Sequence, residues 1–195
     1  LAALTQCLAE YIVTDLEGPR EVEDLPPWLV KENKWRAARY GLDAEVITPD
    51  HGKRVPFRFL RIAGDDRKAL ADATIARLLQ RESRPAEGAI EKLRNRFTLP
   101  PLTIAVIARL GEDEKIPVSE RQATASCVCL LLLQAAQAEG FGAQWLTGWP
   151  AYDRPLLERT LGLAPDEQLA GTIAMGTPQV DVPDRERPDP ASLLT

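Results

Sequence analysis

The longest apolar stretch of the chain, residues 123–138, does most to limit the folds open to it. It contains four consecutive leucines, Leu130 to Leu133, and two glutamines, Gln134 and Gln137, interrupt it. A membrane-spanning helix needs roughly 20 apolar residues, so this stretch is too short to cross a bilayer. We therefore predict a buried central helix that Pro117 opens and Gly140 closes, in a protein with no membrane partner.

Length, charge and cysteine content narrow the class of protein further. A chain of 195 residues suits one domain, or one domain with a foreign extension. The net charge is −5, and no basic cluster is interleaved with aromatic residues, so we expect no nucleic-acid partner. The three cysteines are an odd number, which together with the lack of a signal-peptide pattern indicates a reducing, cytoplasmic compartment. Cys127 and Cys129 point to different sides of the predicted helix and His51 is the single histidine, so no metal site is expected.

The pattern of apolar residues, caps and turns predicts a mixture of strands and helices. Strands are predicted at 57–63, 102–110, 142–147 and 169–175, and helices at 2–16, 32–40, 67–81, 87–97, 117–140 and 154–161. Their spacing is too irregular for a repeated strand–helix–strand unit, so an α+β fold is predicted. The tail from Pro178 is rich in proline and acidic residues, and we expect it to lie over a surface and add little to the core.

Four segments carry a resemblance to the nitroreductase family. They are Pro49–Gly52 with Pro56–Leu60, Lys115–Pro117 with Glu120 and Gln122, Gly140–Gly148, and Gly176–Pro178. In this order and spacing they resemble the short FMN-dependent NAD(P)H branch of that family. The resemblance implies that residues 48–195 form a nitroreductase-like FMN-binding domain. It implies a three-layer fold with a central, mainly antiparallel sheet flanked by helices, and an intertwined homodimer with FMN at the subunit interface.

The resemblance also implies which residues bind the cofactors. Four residues match FMN contacts of the family, namely His51, Trp145, Leu146 and Thr147. A second stretch matches the family's contacts with the nicotinamide nucleotide, and it comprises Ala135, Ala136, Gln137, Ala138, Glu139 and Gly140. Trp145 would lie against the flavin ring, and Gly148 would keep the turn narrow enough for backbone groups to approach it. Two plainer interpretations stay open, in which His51 is a solvated loop residue and Trp145 is part of the core. No catalytic side chain is expected, because the cofactor carries the chemistry.

The start of the chain resembles a different family. Residues 27–44 are similar to the C-terminal part of carboxylate–amine ligases of the glutamate–cysteine ligase type 2 family. We therefore assign residues 1–47 to an atypical, helical ligase-like segment that meets the second domain near Ile47. This segment lacks the ATP- and metal-binding strands of a ligase, so we expect no ligase activity.

The phosphate group of FMN has no obvious partner in this sequence. Where the family has an Arg-Ser motif, this chain has Val22-Glu23-Asp24, whose carboxylates would repel a phosphate. Arginine pairs are the usual alternative, because a guanidinium donates two hydrogen bonds to one anion. Two pairs remain candidates, Arg36 with Arg39 and Arg185 with Arg187.

The function that the resemblance implies is two-electron reduction. NAD(P)H would reduce FMN, and the electrons would pass to a small-molecule acceptor such as a nitroaromatic or a quinone. The missing phosphate motif favours a flavin-free structural or interaction remnant of the fold as the alternative, whereas the segment Trp145–Gly148 favours the enzyme. A fragment of a carboxylate–amine ligase fusion is a third interpretation, supported by residues 1–47.

Overall fold

The computed structural model of the protein describes residues 48–180 and 186–193. Its strands are β1 (Phe57–Ala63), β2 (Leu102–Arg109), β3 (Gly142–Leu146) and β4 (Glu167–Gly176). Its α-helices are α1 (Asp65–Arg81), α2 (Ala89–Thr98), α3 (Val118–Ala138) and α4 (Arg154–Leu161). The helices predicted at 2–16 and 32–40, and the boundary predicted near residue 47, lie outside the described residues.

The four strands form one antiparallel sheet in the order β1-β2-β4-β3. Phe57 faces Ala108 across β1 and β2, and Leu146 faces Thr172 across β3 and β4. Seven of the eight residues of β2 are buried, because this central strand is covered by helices on both faces. β1 and β3 form the two edges of the sheet within the described residues.

Helices cover both faces of the sheet and complete a three-layer α+β fold, as predicted. α3 packs against β2, β3 and β4 on one face, while α1 and α4 pack on the other and α2 packs against α1. The residues that α3 buries recur at helical spacing; they are Ala125, Val128, Cys129, Leu132, Ala135 and Ala136. Burial raises the pKa of the Cys129 thiol to about 12, so this cysteine is a neutral core residue.

Most predicted element boundaries are confirmed to within two residues. The predicted strand 57–63 matches β1, and Asp153 caps α4 as expected by accepting a hydrogen bond from the Leu156 amide at 3.0 Å. β4 is longer than the predicted strand, because Glu167 extends it by pairing with Arg109. Among the described residues, no helix has both the length and the apolar character needed to span a membrane.

Candidate functional site

A cavity of about 790 Å³ lies between the edge strand β3 and the helices α1 and α2. Its volume falls in the upper part of the range for small-molecule sites, roughly 300–1,000 Å³. Its wall is mainly apolar, with a few polar side chains pointing to the same space. The apolar part includes Leu78, Leu93, Leu146 and Trp149, and the polar part comprises Glu82, Lys92, Asn95, Arg96 and Gln144.

Arg96 is the polar residue most firmly fixed in this wall. Its Nη2 atom donates a hydrogen bond to the carbonyl oxygen of Thr147 at 2.5 Å. Its Nε atom is buried and has no hydrogen-bond partner among the described residues. Burial lowers the pKa of the guanidinium, which nevertheless stays charged at neutral pH. Arg96 therefore holds the turn after β3, while its buried Nε donor is left without an acceptor among the described residues.

The turn that follows β3 depends on glycine. Gly148 has φ 79° and ψ −175°, a conformation that is open almost only to glycine. A Cβ atom at this position would lie 3.6 Å from Nη1 of Arg96, in ordinary contact, so backbone torsion and not space requires the glycine. Two features thus hold the backbone of Thr147 and Gly148 beside the cavity. They are the φ and ψ angles of Gly148 and the hydrogen bond from Arg96 to the Thr147 carbonyl.

A charged network holds the next residues of this turn. The guanidinium of Arg81 stacks 4.8 Å from the ring centre of Trp149 and donates to Asp153 at 2.9 Å. Arg77 donates to both carboxylate oxygens of Asp153 at 3.0 Å. Burial tends to raise the pKa of Asp153, but the Leu156 amide and the two arginines outweigh it and keep this pKa below its usual value. The network fixes the cavity wall formed by Trp149 and α1.

Trp145 lies on the opposite face of β3 from the cavity. Side chains alternate along a strand, so Gln144 and Leu146 face the cavity while Trp145 faces the α3 layer. The indole Nε1 donates to the carbonyl of Ala170 at 3.3 Å, and the ring covers Gly171. Its exposed fraction is 36%, so one part of the ring is open to a ligand and another part is packed.

His51 lies in a separate loop at the N-terminal end of α3. Its Nδ1 atom is 2.5 Å from Oε2 of Glu120, and both side chains are exposed. The Thr124 hydroxyl donates to the carbonyl of Pro49 at 3.0 Å, and the Asp50 carboxylate accepts from two backbone amides of the same loop. These bonds fix the loop on α3. His51 is not among the residues that line the cavity.

The stretch 135–140 lies at the other end of α3. Ala135 and Ala136 are fully buried in the core, while Gln137, Glu139 and Gly140 are exposed. Fifteen residues separate Glu120 from Ala135, which corresponds to about 22 Å along the helix at 1.5 Å per residue. One copy of the chain therefore brings Leu146 and Thr147 together with Arg96. It does not bring His51 and residues 135–140 to one place.

The sequence interpretation missed the polar residues of α2. Lys92, Asn95 and Arg96 share one face of this helix because they are three and four positions apart. Such a face in a charged helix is usually solvated, and only the position of β3 beside it turns it into a cavity wall. Of the proposed phosphate-binding arginines, Arg36, Arg39 and Arg185 lie outside the described residues.

The described residues thus form a three-layer α+β fold with a mainly apolar cavity beside an edge strand. The sequence profile of the Nitroreductase family matches residues 32–177. A protein of Escherichia coli K12 named as an NAD(P)H nitroreductase, YdjA, is 30% identical over 155 residues, which cover 79% of this chain and 83% of YdjA. The chain therefore belongs to the nitroreductase family, and it is an oxidoreductase.

Solved structures support the same fold. A nitroreductase-like protein of Bacillus cereus superposes with a TM-score of 0.64 at 21% identity, covering 94% of each chain. A nitroreductase-like protein of Desulfovibrio desulfuricans, solved in complex with FMN, gives a TM-score of 0.56 at 26% identity, covering 82% of each chain.

The similarity to ligases is also found, over a short part of the chain. A protein of Micrococcus luteus named as a glutamate–cysteine ligase 2 is 54% identical over 56 residues, which are 29% of this chain and 14% of that protein. A protein of the same name from Clavibacter sepedonicus is 43% identical over 72 residues, or 17% of its length. The family profile begins at residue 32, so a domain boundary near residue 47 stays a prediction.

Proposed function

We propose that this protein binds FMN and uses it to transfer a hydride from NAD(P)H to a small-molecule acceptor, such as a nitroaromatic or a quinone. Membership of the nitroreductase family and the FMN-bound neighbour from Desulfovibrio desulfuricans support the proposal. When bound, FMN supplies the two-electron carrier, and the protein supplies binding, orientation and electrostatics. The free thiols of Cys127 and Cys129 suit a reducing compartment, which supports a cytoplasmic location.

The buried Nε atom of Arg96 is the observation that carries the proposal. A buried donor without a partner costs roughly 1–3 kcal/mol, so an acceptor from a ligand would relieve this cost. The pyrimidine part of a flavin carries carbonyl oxygens and ring nitrogens that accept hydrogen bonds, and its fused rings need apolar surface. The cavity offers both, with Arg96 beside Leu93 and Leu146. The residues present therefore fit the ring system of the flavin.

In this proposal Arg96 binds the flavin through its free donor and orients it by staying bonded to Thr147. The outer edge of β3 has backbone groups that no described strand pairs, and they are available to the same ligand. Trp145 would contact the ligand from the other face of the strand through the exposed part of its ring.

We further propose that the protein is a homodimer built on α3. Residues 122–138 contain no charged side chain, although α3 covers the sheet with only one face. On its outward face, Leu130 has an exposed fraction of 49% and Cys127 is partly exposed. A helix that is uncharged all round is normally covered on all sides. A second copy would cover this face and would bring the His51 loop of one subunit towards the other.

Flavin titration tests the cofactor and its site. Purified protein is scanned for flavin absorbance and titrated with FMN, in parallel with Arg96→Ala, Arg96→Lys and Arg94→Ala. Arg94 is the matched control, because it lies on the same helix but pairs with Asp72 at 2.9 Å. A hydrogen bond to a charged group contributes about 1.5–3 kcal/mol, so Arg96→Ala should weaken FMN binding roughly 10- to 150-fold. Arg96→Lys should lose less, and Arg94→Ala should bind as the wild type does.

The outcomes separate the cofactor from its location. Wild-type protein that carries no flavin and takes up no FMN would refute the proposal and favour the remnant interpretation. FMN uptake that is unchanged in Arg96→Ala, in protein whose circular dichroism is native, would refute the placement in this cavity.

A further inference from the structure

Lys92 is the exposed cation of the cavity wall. It lies one helical turn before Arg96 on α2, and its side chain shares the cavity with that of Arg96. Its ammonium group has no hydrogen bond or ion pair with any residue that the structure describes. A lysine that supports the fold through an ion pair would show such a partner, so the charge of Lys92 is available to a ligand.

The charges in the cavity wall favour an anionic group. Lys92 and Arg96 are its cations, and Glu82, at the end of α1, is the one carboxylate among the described lining residues. Glu82 makes no ion pair within 4.0 Å of either cation in the described part of the chain. Asn95 and Gln144 add neutral donors and acceptors. The described lining residues therefore carry two cations and one carboxylate, and Lys92 is exposed to solvent.

The surface around Lys92 is apolar and suits a flat ring. Leu99 follows Lys92 by seven residues on the same helix face, and its exposed fraction is 74%. Leu146 and Pro150 line the opposite side of the cavity. An exposed leucine facing a cavity is costly to leave in water and is available to an aromatic ligand.

We propose that the electron acceptor is an aromatic compound with a carboxylate or similar acidic group, and that Lys92 is the residue that selects this group in the part of the cavity beside the flavin. This inference rests on the proposed function. In the net reaction with a nitroaromatic acid, NAD(P)H and one proton yield NAD(P)⁺, while the nitro group gains two electrons and two protons. The nitro group is thereby converted into a nitroso group, and one water molecule is released. Lys92 binds the acid group and takes no part in the electron transfer.

Two acceptors that differ only in charge test the inference. They are para-nitrobenzoate and para-nitrobenzamide, which share the ring and the nitro group. NADPH consumption is measured with FMN-loaded wild type, Lys92→Ala, Lys92→Arg and Lys92→Glu. Lys68→Ala is the control, because Lys68 is an exposed lysine of α1 outside the cavity lining.

A part-exposed ion pair of up to about 1 kcal/mol corresponds to a roughly three- to fivefold effect. Lys92→Ala should therefore raise KM for para-nitrobenzoate about three- to fivefold and leave kcat unchanged. Lys92→Glu should raise it further, and Lys92→Arg and Lys68→Ala should resemble the wild type. KM for para-nitrobenzamide should change in none of the variants, and added salt should reduce the difference between the two acceptors.

Each other outcome overturns the inference in a recognisable way. Equal KM changes for both acceptors would show that Lys92 acts on the flavin or on the shape of the cavity and not on the acid group of the acceptor. No change for either would show that its charge does not meet the acceptor. Flavin absorbance is recorded on the same samples, so a wild type without flavin would refute the proposed function itself.

Discussion

Replacing Gly171 by alanine would test how Trp145 is held against the sheet. Gly171 is a buried residue of β4, and a Cβ atom there would lie 1.9 Å from Nε1 and 2.5 Å from Cδ1 of Trp145. Real Cβ atoms do not approach other atoms so closely, so the indole ring would have to leave its place. Its hydrogen bond to Ala170 would be lost with the movement.

The expected loss of stability follows from three contributions. Overpacking of a well-packed site costs about 1–3 kcal/mol. The lost indole hydrogen bond costs about 0.5–1.5 kcal/mol, whereas removing a glycine from a strand returns about 0.5–1 kcal/mol. We therefore expect Gly171→Ala to lower the free energy of unfolding by about 1–3 kcal/mol. For a chain of this length, 2 kcal/mol corresponds to a fall in Tm of roughly 4–8 °C.

Urea unfolding followed by circular dichroism measures this change. Gly142→Ala is the matched control on β3, because its Cβ would meet Gly176 oxygen at 3.5 Å and Pro178 at 3.6 Å, which are ordinary contacts. The control should be as stable as the wild type or slightly more stable. If Trp145 contacts the flavin as predicted, Gly171→Ala should weaken FMN uptake as well.

A double variant separates the clash from other effects. In Trp145→Ala the space above Gly171 is empty, so adding Gly171→Ala to this variant should cost nothing or add up to about 1 kcal/mol of stability. An equal loss from Gly171→Ala in both backgrounds would refute the contact with Trp145. So would a Gly171→Ala protein as stable as the wild type.

Two further predictions concern the dimer and the acid stability. Leu130→Glu should convert the dimer into a monomer, as measured by light scattering. Leu79→Glu is the control, because Leu79 is equally exposed but lies on α1, and this variant should remain a dimer. A wild type that is monomeric at all concentrations would refute the dimer. The pKa of Glu167 is lowered from 4.5 to about 2, chiefly by two hydrogen bonds of 2.6 Å each from Arg58. The ionised carboxylate therefore stabilises the folded state above pH 4.5, and this contribution is lost as the pH falls towards 2. The stability difference between wild type and Glu167→Gln should therefore shrink on acidification, and a difference independent of pH would contradict this assignment.

Much of the fold could be predicted because its signals are local. The apolar run of β2, the Asp153 cap of α4 and the uncharged stretch of α3 each specify an element without reference to the rest of the chain. The early start of β4 could not be predicted this way. Glu167 is a charged residue at a buried strand end, and its carboxylate is held chiefly by Arg58 of β1, with the Ala164 amide and Arg109 as further partners.

The cavity was not predictable from the same signals, because it arises between elements. Arg96 looks like any charged helix residue until β3 places the Thr147 carbonyl beside it. The motif Gly140–Gly148 predicted Leu146 and Thr147 as site residues, but it did not predict the cavity wall that α2 forms. A motif specifies the residues near it in sequence, whereas the partners from α2 depend on the packing of the whole layer.

The length of α3 links the dimer proposal to the predicted site. His51 lies near its first turn and residues 135–140 lie at its other end, about 22 Å away along the axis. The resemblance assigns these two ends to different ligands, His51 to FMN and residues 135–140 to the nicotinamide nucleotide. Two copies of α3 packed antiparallel about a two-fold axis would set the first turn of one beside the last turn of the other. In the proposed dimer, two subunits would share the site and bring together the residues that the resemblance assigns to the two cofactors. For this reason, Leu130→Glu should reduce FMN binding together with dimerisation.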